Sequence, residues 1–86
     1  MKINMDKPIL GLDGKEIEGT HLGKIIAQTL ASASKGDALK FFTWAQKLYA
    51  SEELELDPSD TETLKNFIKE AESLTILTKA QALAEL

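Results

Sequence analysis

Three short stretches of the chain alternate apolar and polar residues one by one, and four longer stretches repeat every three or four positions, so the pattern predicts short strands among helices. The first clear signal is Leu10-Gly11-Leu12-Asp13-Gly14-Lys15-Glu16-Ile17. An Asp-Gly pair accepts the positive φ angles of a two-residue hairpin turn. With Asp13 and Gly14 as the loop, Leu12 pairs with Lys15 and Leu10 with Ile17, which puts Leu10, Leu12 and Ile17 on one face for burial. Pro8 opens the first strand, where a missing donor is tolerated. Ile3 and Met5 alternate with Lys2, Asn4 and Asp6, reading as a further short strand over 2–6. Two strands alone are marginal in water, so the hairpin must lie on helices.

The helical rhythm begins at Thr20 or His21 and runs to about Ser34, with Leu22, Ile25, Ile26, Thr29, Leu30 and Ala33 on one stripe. Gly23 marks a close approach to the hairpin. Lys35-Gly36 reads as the stop, with Asp37 as the next N-cap. A second helix over Ala38–Ala50 places Leu48, Phe41, Ala45, Tyr49 and Phe42 in one arc, the expected centre of the core. Trp44 falls roughly 40° beyond that arc and Leu39 almost opposite it, so both are candidate contact residues. Glu52 to Leu56 alternates charge and Leu as an extended connector with Leu54 and Leu56 turned inward. Asp57-Pro58 then opens a third helix as N-cap and first residue, with Ser59 and Glu62 as a competing capping box. Its buried stripe is Leu64, Phe67, Ile68, Ala71 and Leu74. A last helix over Ile76–Leu86 presents Ile76, Leu77, Ala80, Leu83 and Ala84. The fold class is therefore α+β and mostly helical, a β-hairpin packed on a compact bundle of three to four short helices. One domain spans 1–86, with its hairpin region at 1–19 and its helical region at 20–86.

Composition agrees with a folded domain: of 86 residues, 43% are apolar and 28% charged, too apolar for a disordered chain. Residues 1–51 carry a net charge of +2, residues 52–72 carry −6 and the remainder is balanced, giving −4 in total. The acidic part repels phosphate backbones, and the absence of Arg removes the side chain best suited to phosphate and guanine. Direct nucleic-acid binding is thus disfavoured. No apolar run is long enough to span a bilayer, and MKINMDKPIL lacks a signal-peptide core, so the expected setting is cytoplasmic.

Chemical tools are scarce. Without Cys there is no thiolate nucleophile, disulfide or Cys-ligated metal. His21, the single imidazole, reads as an exposed first-turn residue because no motif supplies a nucleophile and an orienting group. The acids Glu52, Glu53, Glu55, Asp57, Asp60 and Glu62 lack the Gly and terminal Glu spacing of a calcium loop. They read as a solvated connector and helix caps. The glycines form no phosphate-binding motif, so neither a cofactor nor a metal is expected, and no catalytic residue is assigned.

The order Pro8-Ile9, Leu12-Asp13-Gly14-Lys15-Glu16-Ile17, Leu22-Gly23 at a helix start, Lys40, Trp44-Ala45 and Leu48-Tyr49 resembles short bacteriophage and prophage proteins of similar size. In those, an LDGKxI hairpin precedes a helix beginning LG, a helix ending near LY, an acid-capped helix and a terminal segment with a Gln near its end, here Gln81. The stretch Thr78-Lys79-Ala80-Gln81 departs from that pattern by being more polar. The resemblance implies phage or prophage origin, work inside a bacterial host cell or in association with a virion, and no established active site.

These readings converge on a non-enzymatic protein-binding or assembly component acting on another protein or on copies of itself. Its candidate binding residues are Leu39, Lys40, Trp44, Lys47, Glu52, Glu53 and Glu55, an aromatic anchor beside steering charge. The alternative is an acidic inhibitor whose 52–62 stretch occupies a basic nucleic-acid groove on a host protein. A small carboxylate-dependent hydrolase is a third reading, which requires two close carboxylates in a pocket.

Overall fold

Two of the alternating segments, at 2–6 and 52–56, find each other across the chain. In a computed structural model describing all 86 residues, β1 (Lys2–Ile3) pairs antiparallel with β2 (Leu54–Glu55), setting Lys2 against Glu55 and Ile3 against Leu54. The Leu56 amide donates to the Met1 carbonyl at 2.8 Å and extends the ladder. Both alternations turn their apolar members inward: Ile3, Met5, Leu54 and Leu56 are all buried. The connector expected over 52–56 is therefore a strand, and its partner is the short stretch at 2–6.

Four helices follow the expected order: α1 (Leu22–Ala31), α2 (Ala38–Tyr49), α3 (Pro58–Glu70) and α4 (Ile76–Ala84). Local side chains set their starts. Asp37 accepts the Lys40 amide at 3.1 Å, Asp57 accepts the Asp60 amide at 2.7 Å, and the Thr75 hydroxyl accepts the Thr78 amide at 3.2 Å. Pro58 occupies the first turn of α3, so the Asp57-Pro58 register prevails over the Ser59–Glu62 box. α1 stops at Ala31, earlier than the expected Ser34, and Gly36 adopts φ 116° in the connection. A Cβ there would lie 2.6 Å from the Phe41 ring, so the missing side chain is what lets that ring seat.

α1 and α2 form an antiparallel pair, with Gly23 at one end beside the Leu48 carbonyl and Ala27 near Ala45 further along. A Cβ on Gly23 would lie 3.0 Å from the Leu48 carbonyl and 3.1 Å from that of Met5. Gly23 thus marks a close approach to α2 and the N-terminal segment, and not to the hairpin. Leu22, Ile26, Ala27 and Leu30 of α1, Phe41, Trp44, Ala45 and Leu48 of α2, Leu64 and Ile68 of α3, and Ala82 of α4 join the inward strand residues in one core. Burying each of the larger side chains contributes about 1.5–3 kcal/mol.

Three apolar faces differ from expectation, each for a tertiary reason. The 9–17 hairpin forms with a three-residue loop: Gly14 donates to the Gly11 carbonyl, and Gly14 itself takes φ 79°. A type I turn followed by a left-handed glycine is the usual build of such loops. Leu10 consequently bridges Glu16 and not Ile17. This one-residue slip splits the expected face: Leu10 and Leu12 turn outward, Leu12 at 99% exposure, while Ile17 falls opposite the buried Ile9 and stays 39% exposed. On α2, the buried arc is rotated toward Trp44, which is only 5% exposed, leaving Phe42 and Tyr49 outside. The chain after Ser51 folds back over that flank, bringing Phe67 of α3 edge-on to Phe41 at 5.2 Å and letting Phe41 stack on Trp44 at 5.6 Å. On α4, Thr78 and Ala82 face inward and Ile76 and Ala80 point out.

No helix is long and apolar enough to cross a membrane.

Candidate functional site

α2 carries two apolar stripes. One faces the core. The other consists of Leu39, Phe42 and Tyr49, with Gln46 between the last two, at spacings of three, four and three residues along one exposed side. Leu39 is 82% exposed, Phe42 58% and Tyr49 53%, values that leave more than half of each large side chain facing solvent. Beside this stripe, α1 lines the surface with Ala27, Gln28 and Ala31, and with Phe42, Ala45, Gln46 and Tyr49 of α2 they form a groove of about 380 Å³. The groove continues past Phe42 and Ala31 into a second hollow reaching Leu39 and Lys35 at the helical corner. Its floor is alanine and its α2 wall is aromatic, a shape suited to inserted side chains.

Of the residues predicted from sequence, Leu39 lies on this stripe. Trp44 does not: it is buried between Phe41 and the chain that returns after Ser51, so it is core and its role as an exposed anchor is withdrawn. Lys40 donates to Asp60 at 2.7 Å, tying α2 to α3. That hydrogen bond and the Asp60 charge hold the Lys40 ammonium above its ordinary pKa, with Asp37 and Asp57 adding to the effect. Lys47 is exposed on the outer flank of α2. Glu52, Glu53 and Glu55 are also exposed, but they follow the stripe's end, and Glu55 sits opposite Lys2 in the ladder. The acids of 52–62 do not converge, and nowhere do three His, Asp or Glu side chains gather as a metal site would require. Phe42 and Tyr49, which periodicity assigned to the core, are the surface residues that sequence reasoning missed. Their spacing from Leu39 was the available signal.

A second cluster joins residues far apart in sequence. The His21 Nδ1 accepts the Lys24 amide at 3.1 Å, making the imidazole the N-cap of α1. Its Nε2 lies 2.9 Å from Asp6 Oδ1 and 3.4 Å from Ser51 Oγ. Hydrogen bonds from His21 and then Ser51 hold the Asp6 carboxyl below the ordinary aspartate range. His21 is half-buried here, not the freely exposed residue expected. Serine, histidine and aspartate invite comparison with a catalytic triad, but the wiring differs. A triad needs its hydroxyl on one ring nitrogen and its carboxylate on the other. Here both partners meet Nε2, while Nδ1 is occupied as an acceptor, so the ring proton resides on Nε2 and points to Asp6. No lone pair faces Ser51 to take its proton. The arrangement acts as a clasp joining the N-terminal segment, the start of α1 and the end of α2.

The remaining backbone donors at this helix start are also used: Leu22 donates to the Lys7 carbonyl and Gly23 to that of Met5. No buried side-chain nitrogen or oxygen anywhere in the molecule lacks a hydrogen-bond partner. No family model, curated protein or solved structure matches this chain.

Proposed function

We propose that this protein is a non-enzymatic protein-binding or assembly component whose recognition surface is the exposed α1/α2 face. The observation that carries this reading is the second stripe of α2, where Leu39, Phe42 and Tyr49 stand out of the core at helical spacing. Large exposed apolar residues scattered singly are ordinary on a soluble surface, whereas a contiguous row beside an alanine-floored groove favours a partner. Aromatic side chains in such rows supply much of the energy of protein interfaces. The wiring of Asp6, His21 and Ser51 supports the non-enzymatic part, because it orders backbone segments and leaves no activated nucleophile. A phage or prophage origin, and work within a bacterial host cell, rest on the LDGKxI hairpin and the later motifs.

The test is affinity capture from lysogenic or infected cells with the native chain and with Leu39→Ala/Phe42→Ala. We expect a specific partner on the native chain and its loss from the variant, with far-UV circular dichroism unchanged. A partner retained equally by both forms would remove this face from the reading.

A further inference from the structure

We infer that the α1/α2 groove receives an acidic amphipathic α-helix of another protein. The inference rests on the protein-binding reading and adds the chemistry of the partner. From Leu22 to Tyr49 neither helix contains a single Asp or Glu, and between His21 and Ser51 the only acid is Asp37, already engaged as the cap of α2. Lysines border the apolar strip instead. Lys24 lies over the Tyr49 ring at 5.3 Å at one end, and Lys35 lines the hollow beside Leu39 at the other. In a chain of net charge −4, this face is locally basic.

A neutral, apolar centre with a cationic border specifies an occupant of opposite design: apolar residues in the middle and carboxylates at the sides. The occupant's backbone follows from the groove's. Two antiparallel helices with a row of alanines between them accept a third helix whose ridge fills the furrow, completing a three-helix layer, whereas an incoming strand would find no sheet edge there. A helix of a second copy of this chain fits poorly. Placing two such faces together joins two lysine borders with no carboxylate between them. The acid-bearing helix α3 has no large exposed hydrophobic residue to enter the groove.

The experiment titrates two labelled synthetic helices of about sixteen residues, roughly four turns, into the full-length protein. Both carry leucines at three- and four-residue spacing; one is flanked by glutamates and the other by lysines. Fluorescence anisotropy should give micromolar affinity for the glutamate-flanked helix and none for the lysine-flanked one. That affinity should fall about tenfold with Phe42→Ala. It should also weaken as salt rises from ~50 to ~300 mM. Replacing Lys24 and Lys35 by Glu should exchange the preference between the two helices, a gain that a misfolded variant could not show. Equal binding of both helices would overturn the inference about charge while leaving the face as a binding surface. Binding of neither, with a concentration-dependent dimer abolished by Phe42→Glu, would make the occupant a second copy and overturn the inference about the partner. Binding of neither with no self-association also overturns it; the protein-binding reading then stands or falls on the capture experiment.

Discussion

His21 shows how one side chain can spend its whole bonding capacity on architecture. Its Nδ1 caps α1 and its Nε2 proton goes to Asp6, so the imidazole's two nitrogens hold two segments together. Asp6 gains from this. Because hydrogen bonds from His21 and Ser51 lower its folded pKa, the stabilisation is fully present above the unfolded aspartate value of about 3.9 and disappears as pH falls through the lower folded value. Asp6→Asn should therefore be less stable than the native chain at neutral pH, and the difference should shrink in that acid window. Urea unfolding at a series of pH values measures it. A difference independent of pH would mean that the carboxylate charge contributes nothing.

At the scale of elements, the end of α2 repeats the point. Ser51 adopts φ 62°, with its amide bonded to the Leu48 carbonyl and that of Glu52 bonded to the Lys47 carbonyl. This is a Schellman turn, whose left-handed position usually belongs to glycine. A side chain there costs about 1 kcal/mol or somewhat more, offset here by the hydroxyl's place beside Asp6 and His21. Ser51→Gly should raise stability by up to ~1 kcal/mol, less whatever the hydroxyl contributes. Ser51→Ala keeps the strain without the hydroxyl and should lower stability. Thermal unfolding of the pair separates the two contributions, and a Ser51→Gly less stable than native would show that the hydroxyl dominates.

The same scale divides what was legible in the sequence from what was not. Asp37, Asp57 and Pro58 were readable because a cap is decided within three residues of itself. The helices and the inward Leu54 and Leu56 were readable from periodicity. The side of α2 that is buried was not, because the decision between Trp44 and Phe42 depends on which flank the chain covers after Ser51. The hairpin's face was lost by one residue, since the Asp-Gly signal suits either a two- or a three-residue loop. Leu39 was identified from the surface face, but its companions Phe42 and Tyr49 were hidden inside an arc that looked like core.

Over the whole molecule, polar side chains tie together what the apolar core leaves loose. The hairpin offers Leu10, Leu12 and Ile17 to solvent, so packing alone holds it weakly. Gln81 of α4 compensates: its Oε1 accepts the Leu10 amide at 2.8 Å and its Nε2 donates to the Leu10 carbonyl at 2.6 Å, as a neighbouring strand would. Lys7 and Glu85 form a further pair between the same regions. Gln81→Ala should free the hairpin while sparing the helices. Hydrogen exchange at the Leu10 amide should accelerate by about tenfold or more, given a net loss near 1 kcal/mol per bond, with the α1 and α2 core amides unchanged. Uniform acceleration throughout would instead mark Gln81 as part of the global fold.

The Ile3–Leu54 ladder has a consequence for how the chain is made. During vectorial synthesis the first strand leaves the ribosome long before its mate, an interval on the order of 3–10 s at ordinary elongation rates. At its end, Ile3 and Met5 still belong to a lone edge with nothing to zip onto, while α1 and α2 have both emerged. A nascent chain stalled before Leu54 would therefore display the proposed recognition surface on an unlatched frame.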